Sequence, residues 1–229
     1  MIDLLSLFFR LYFYPVGLTT MYSKQACFCG STLLFAQCCQ LLITQHKHAQ
    51  TPEQLMRSRF SAYATKEYQY IFDTYAKQSQ NSISLEDIQD SAKGSHWFAL
   101  IIHAGEKADS NAENATVPSN KSAQFVEFSA FYIADDSVFE MREKSRFVLE
   151  VSDRQTKSHN SNLKQWRYVD GDIIMHDQIS NQLGSQLGNQ PDNLSKKITR
   201  NQLCPCNHYP SAWTKKKDKK YKHCCQKSL

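Results

Sequence analysis

Helical spacing dominates the first third of the chain after its opening residues. Met56, Phe60, Tyr63, Ile71 and Tyr75 recur at steps of three to four residues or their multiple, the period of one helix face. The run opens with Thr51-Pro52-Glu53-Gln54: Thr51 can cap, Pro52 suits the first helical position, and Gln54 can reach back as in a capping box. Ser84-Leu85-Glu86-Asp87 offers a second, shorter helix start. The pattern then turns to strands. Trp97 to Ile102 is a continuous apolar run, and Phe125 to Ile133 is rich in aromatic and β-branched residues. From Phe139 onward Phe139, Met141, Phe147, Leu149 and Val151 share one face, and Arg142, Lys144, Arg146 and Glu150 share the other. Trp166 to Val169 reads as a further strand, with Asp170-Gly171 as a turn before Ile173 and Ile174. Polar insertions at 104–123 and 152–164 read as long hairpin loops. Helices first and antiparallel strands afterwards predict an α+β domain over residues 51–177. Residues 178–200, rich in Gln, Asn, Ser and Gly over most of their length, predict a flexible linker.

The candidate chemistry lies at the two ends. All eight cysteines fall in two sets: Cys27, Cys29, Cys38 and Cys39 within 24–42, and Cys204, Cys206, Cys224 and Cys225 within 201–229. Each set joins a Cys-x-Cys turn to a Cys-Cys pair, and four such thiols can supply the closed tetrahedral shell of a structural zinc site. The expected cofactor is therefore zinc, two ions. Disulfides are the alternative. Adjacent cysteines have Cα atoms about 3.8 Å apart, short of the roughly 4.4 Å at which bridges begin. Bridges would thus have to cross-pair Cys27 and Cys29 with Cys38 and Cys39, as in a small secreted scaffold. His208 and His223 flank the second set; either could replace a thiol or stand as a solvated neighbour.

Charge separates the tail from the rest. Net charge is +5, yet residues 196–229 alone carry ten basic residues against one acid. This predicts an acidic partner for the tail: an acidic protein surface, nucleic acid or anionic lipid. A solvated lysine-rich loop is the bland counterpart. Residues 4–18 are apolar but interrupted by Arg10, and too short for the roughly 20 residues of a membrane span. Asp3 stands where a signal peptide is basic. Residues 1–23 therefore read as a leader outside the functional chain, with translation expected to begin at Met21. The expectation is a cytoplasmic protein without a transmembrane segment.

Cys27-Phe28-Cys29-Gly30-Ser31 followed by Cys38-Cys39 resembles the SEC-C zinc motif, named for the C-terminus of the preprotein-translocase motor SecA. The middle carries Met56-Arg57-Ser58-Arg59-Phe60, Glu143-Lys144-Ser145-Arg146-Phe147 and Trp166-Arg167-Tyr168-Val169-Asp170-Gly171. With cysteine sets at both ends, residues 24–226 resemble the YchJ family of bacterial proteins. The resemblance implies a nuclear-transport-factor-2-like middle domain, a cone of curved antiparallel sheet wrapped by helices and enclosing a pocket. It also implies zinc knuckles at either end and, as is frequent for this fold, a homodimer through the open sheet face. No established activity comes with it. The second set departs from the motif: Asn207-His208 replaces Gly-Ser, and seventeen residues rather than eight precede the Cys-Cys pair.

Two functional readings follow. In the first, the chain is a zinc-binding adaptor, more a binding protein than an enzyme. Its basic rim of Lys215, Lys216, Lys217, Lys219, Lys220 and Lys222 would dock an acidic partner, with Trp213 and Tyr221 stacking on a base or apolar groove. The SecA knuckle, by resemblance, is associated with chaperone and lipid contacts, which supplies a type of role. In the second, the middle domain binds or transforms a small ligand. Strand alternation puts Glu143 and Ser145 on the apolar face, Arg57 or Arg59 would pair with the carboxylate, and His96 and Asp170 would approach the same cavity. A buried ion pair tying helix to sheet is the structural counterpart. Catalytic zinc is disfavoured because four thiolates close the metal's shell. With only seven glycines, and none grouped as a phosphate loop, nucleotide cradling is disfavoured as well.

Overall fold

The computed structural model describes residues 24–44, 46–105, 123–151, 164–174, 197–213 and 218–228. The leader, the inserted loops, most of the linker and Lys215–Lys217 lie outside the described residues.

Helix α1 (Cys39–Ile43) belongs to the first cysteine set, and α2 (Pro52–Thr65), α3 (Tyr68–Asp73), α4 (Lys77–Gln80) and α5 (Leu85–Ala92) follow. The start of α2 is as the sequence predicts: Thr51 Oγ1 accepts from Gln54 N at 3.1 Å with Pro52 in the first turn. Gln54, however, reaches to Gln50 N rather than to the cap itself. The helical run does not continue to Tyr75 as one piece. Lys66 adopts a left-handed conformation (φ 64°) and closes α2, and α3 starts afresh. Ser84 and Asp87 form a full capping box at α5.

Four strands, β1 (His96–Gly105), β2 (Gln124–Ala134), β3 (Ser137–Val151) and β4 (Lys164–Ile173), form one antiparallel sheet in sequence order. β2 and β3 are joined by Asp135 and Asp136 alone, both at positive φ (47° and 58°), the backbone that matches a two-residue hairpin to strand twist. The predicted turn at Asp170-Gly171 is corrected: β4 runs straight through it. Arg146 faces Asp170 and Phe147 faces Tyr168, so Val169 is the extra residue of a bulge. The Asp-Gly signal marks a close approach instead, because a Cβ on Gly171 would meet Glu143 Cγ at 2.7 Å and overlap its carboxyl group.

The sheet is covered on both faces. Leu100, Val126, Phe128, Ala130 and Phe147 pack inward against Leu55, Phe60 and Ile71 of the helices and against the first cysteine set. Phe98, Phe131 and Ile133 point outward and pack on Ile198, Ala212, Tyr221 and the second cysteine set. The outer face on which the homodimer expectation rests is thus partly occupied by the chain's own C-terminus. No helix of the described residues is long and apolar enough to cross a membrane.

Candidate metal centres and central cavity

The two cysteine sets are built alike. In the first, Ala26 bridges Leu34, and a short 3-10 turn (Phe35–Gln37) delivers Cys38 at φ −124°, ψ −112°. In the second, Leu203 bridges Lys220, and the turn Tyr221–His223 delivers Cys224 at φ −127°, ψ −114°. Phe35 and Tyr221, each three residues before its Cys-Cys pair, are both completely buried. The long insertion before Cys224 therefore leaves the backbone of the pair unchanged. Tyr221 is corrected as a stacking platform: it forms the knuckle's own core and donates its hydroxyl to Asp136 Oδ1 at 2.9 Å. The matching spacing to Phe35 was the signal for this in the sequence.

Within each set the four Sγ atoms all lie within 4.8 Å of one another, and no disulfide forms. Zinc–thiolate bonds of about 2.3 Å in a tetrahedron put sulfurs about 3.8 Å apart. Cys29 Sγ lies 3.4 Å from Cys27 and 3.8 Å from Cys38, and Cys38 lies 3.8 Å from Cys39. Cys206 and Cys224 are 3.5 Å apart, Cys224 and Cys225 4.0 Å. The donor set and spacing fit a metal dication at each end, held by Cys27, Cys29, Cys38 and Cys39 and by Cys204, Cys206, Cys224 and Cys225. The titration pattern agrees in kind. The hydrogen bond between Cys27 and Cys29 shifts the pair in opposite directions, Cys29 far below the thiol range and Cys27 upward. Cys204 is lowered first by Cys206, while hydrogen bonding to Cys204 raises Cys225. Four packed sulfurs cannot all ionise unaided; a dication removes that conflict by taking every proton's place.

The knuckles also touch each other. The Phe28 ring sits 4.5 Å from the Trp213 ring. Trp213 donates Nε1 to Trp97 O at 3.0 Å and its backbone N–H to Phe98 O at 3.3 Å. Gly30, at φ 77°, lies so close to Ser211 that a Cβ would stand 2.7 Å from its carbonyl oxygen. Trp213 is therefore an internal wedge and not a partner-facing ring, a second correction. Lys219, Lys220 and His223 remain exposed and Lys222 half-buried. Desolvation, then Lys222, Lys227, Lys219 and Lys220 in turn, lowers the His223 pKa, so these cations share one neighbourhood. His208 and His223 belong to neither four-sulfur group.

Inside the cone, a cavity of about 280 Å³ opens between α2, α5 and the inner sheet face. Of the predicted pocket residues, Arg59 and Glu143 line it. The Arg59 guanidinium is clasped between the Tyr75 and Tyr168 rings, 4.5 and 4.3 Å from their centroids, and donates Nη1 to Ile71 O and Thr74 Oγ1. Glu143 Oε1 accepts from Ser145 Oγ at 2.5 Å and from Tyr168 OH at 3.0 Å. Ser145 thus acts behind the carboxylate. Burial, with the Glu143 charge next, pushes the Tyr168 pKa up. Among the described residues no ion pair joins Arg59 to Glu143.

The other three expectations are corrected. Arg57 turns outward, pairing with Glu53 at 2.8 Å and donating to Cys29 O at 3.2 Å, because its position on α2 faces the first knuckle. His96 is buried on the opposite side against Trp213, where burial pushes its pKa down to about 4. Asp170 lies on the outer surface in an ion pair with Arg146, since the bulge at Val169 places it opposite that residue. The aromatic walls, Tyr63, Trp97 and Tyr132 among them, were not anticipated. Their sequence pattern reads simply as core.

A sequence profile described as the YchJ middle domain, nuclear-transport-factor-2-like, matches residues 51–171. The chain belongs to the YchJ family. Its relatives include UPF0225 proteins of Vibrio cholerae, 30% identical over 87% of this chain and 99% of the relative, and of Vibrio vulnificus, 31% identical over 87% and 98%. Among solved structures, a SEC-C motif containing protein from Psychrobacter arcticus aligns over 91% of this YchJ-family chain and 99% of its own, with TM-score 0.52 and 23% identity. A SEC-C motif containing protein from Rhodopseudomonas palustris covers 65% and 98%, with TM-score 0.50 and 23% identity. These structural likenesses carry the fold: a curved four-stranded sheet with helices and SEC-C knuckles.

Proposed function

We propose that this YchJ-family protein is a zinc-stapled accessory protein of the cytoplasm whose C-terminal knuckle docks an acidic protein surface. Zinc is the metal that four thiolates in a closed tetrahedron suit best. Eight unbridged thiols fit a reducing compartment. The observation that carries the docking reading is the division of labour in the second knuckle. Its sulfurs and Tyr221 are buried, whereas Lys197, Arg200, Lys219, Lys220 and Lys227 are exposed, with Asp218 the sole acid of the described tail residues. A rigid metal core thus presents a cationic surface with little to offset it.

Of the three acidic partners, protein fits best. Trp213 and Tyr221 are committed to internal packing, which removes the stacking platform that single-stranded nucleic acid uses. Leu203, 39% exposed, is the only large apolar side chain exposed in the described tail, too little for an apolar membrane-inserting face. The test is binding of the zinc-loaded chain to poly-L-glutamate, to a single-stranded oligonucleotide and to anionic vesicles across a salt series. Expected is saturable binding to the acidic polypeptide that weakens steeply with salt and is lost in the Lys219→Glu, Lys220→Glu, Lys222→Glu triple variant. Flat salt dependence, or tighter binding to the oligonucleotide or vesicles, would reject the reading.

A further inference from the structure

The central cavity holds two opposite charges that do not neutralise each other. Arg59 is 3% exposed and Glu143 8% exposed, so both have left bulk water. A buried charge without a contacting counter-charge is strongly destabilising unless hydrogen bonds replace its hydration. Here that replacement stops halfway. A guanidinium has five N–H groups; Arg59 spends Nη1 on Ile71 O and Thr74 Oγ1, and Nε and Nη2 have no partner among the described residues. Glu143 uses Oε1 for Ser145 and Tyr168, and Oε2 has none. The indole Nε1 of Trp97, another lining residue, is buried without a hydrogen-bond partner among the described residues.

The two charges are held apart by Tyr168, whose ring lies under the guanidinium and whose hydroxyl reaches the carboxylate. Both anchors are built into the fold. The aromatic clasp fixes Arg59, and the missing side chain of Gly171 makes room for the carboxylate on the floor of the sheet. Apart from Ser91 and Ser95, the remaining walls, including Tyr63, Tyr132 and Met141, are apolar or aromatic. A site that offers unspent N–H donors at one end, an unspent carboxylate oxygen at the other and apolar walls between is complementary to a dipolar molecule with an apolar side group.

We propose that the cone binds a small zwitterion of the α-amino-acid class, its carboxylate on Arg59, its ammonium on Glu143 and its side chain against the aromatic walls. This inference is independent of the basic rim. The test is calorimetric titration of the full zinc-loaded chain with matched probes. L-leucine is compared with 4-methylpentanoate and 3-methylbutylamine, which keep the side group but carry only the acid or only the amine. L-phenylalanine is compared in the same way with 3-phenylpropionate and phenethylamine. At least one amino acid is expected to bind tenfold or more tightly than both of its halves. Glu143→Gln should bring that affinity down to the level of the acid alone. Met141→Trp, which fills the cavity and leaves both charges in place, should abolish binding without loss of the fold. The proposal is overturned if no probe saturates, if a half binds as tightly as its amino acid, or if binding persists unchanged in Met141→Trp.

Discussion

Replacing Gly171 by Ala probes the central carboxylate without touching a charge. The added Cβ would meet Glu143 Cγ at 2.7 Å and overlap the carboxyl group, so the side chain must swing away. It then loses the hydrogen bonds from Ser145 Oγ and Tyr168 OH. Each bond to a charged group contributes about 1.5–3 kcal/mol, and alanine recovers about 0.5–1 kcal/mol over glycine within a strand. Gly171→Ala should therefore destabilise by roughly 3 kcal/mol. In a Glu143→Ala background there is nothing to collide with, and the same change should be neutral or slightly stabilising. Urea unfolding of the four proteins at pH 7 with saturating zinc gives the coupling. A non-additive term near 3 kcal/mol is expected, at the upper end for residues in contact. Additivity within about 0.5 kcal/mol would refute the account of Gly171 as clearance for the carboxylate.

Metal analysis of the native protein should find two zinc ions per chain, and Cys204→Ser should leave one. Chelation should unfold both knuckles, which have little core without metal, and shift Trp213 emission to the red as it leaves Phe28; unchanged emission would contradict the wedge. Phe28→Ala removes a side chain 2% exposed that touches Phe35 and Trp213, so a chelator dye should extract metal more readily from both ends, not one. Asp135→Gly should raise the melting temperature slightly by relieving a positive φ, whereas Asp136→Gly should lower it, because Asp136 also accepts from Tyr221. Burial pushes the Tyr63 pKa up to about 12 from an ordinary 10. The unfolded state then loses its proton first as pH rises, so stability falls between pH 10 and 12. Tyr63→Phe should recover roughly 1 kcal/mol at pH 11 and little at pH 7, read by urea unfolding at both.

What was legible in the sequence was local. The cap at Thr51, the capping box at Ser84, the strand alternation that sends Glu143, Ser145 and Phe147 inward, and both cysteine sets are patterns of near neighbours. The features that shape the cavity are not. Whether Arg57 or Arg59 enters it depends on which side of α2 meets the first knuckle. Whether Asp170 faces in or out depends on one extra residue in β4. His96 stands away from the cavity because the second knuckle, more than a hundred residues later in the chain, packs over its side of β1.

The same long-range logic explains how the knuckles divide their roles. The first supplies Cys27, Phe28, Phe35 and Cys39 to the inner core, so a metal held there would help brace α2, the helix that carries Arg59. Arg57, two residues earlier, ties that helix to Cys29 O. The second closes the outer face over Phe98, Phe131 and Ile133 and keeps its cations outside. Trp213 joins the two, touching Phe28 of the first knuckle and donating to Trp97 O of β1. One centre thus supports the cavity and the other carries the charged surface, which is why variants of the rim should leave amino-acid binding unchanged and Met141→Trp should leave docking of the acidic polypeptide intact.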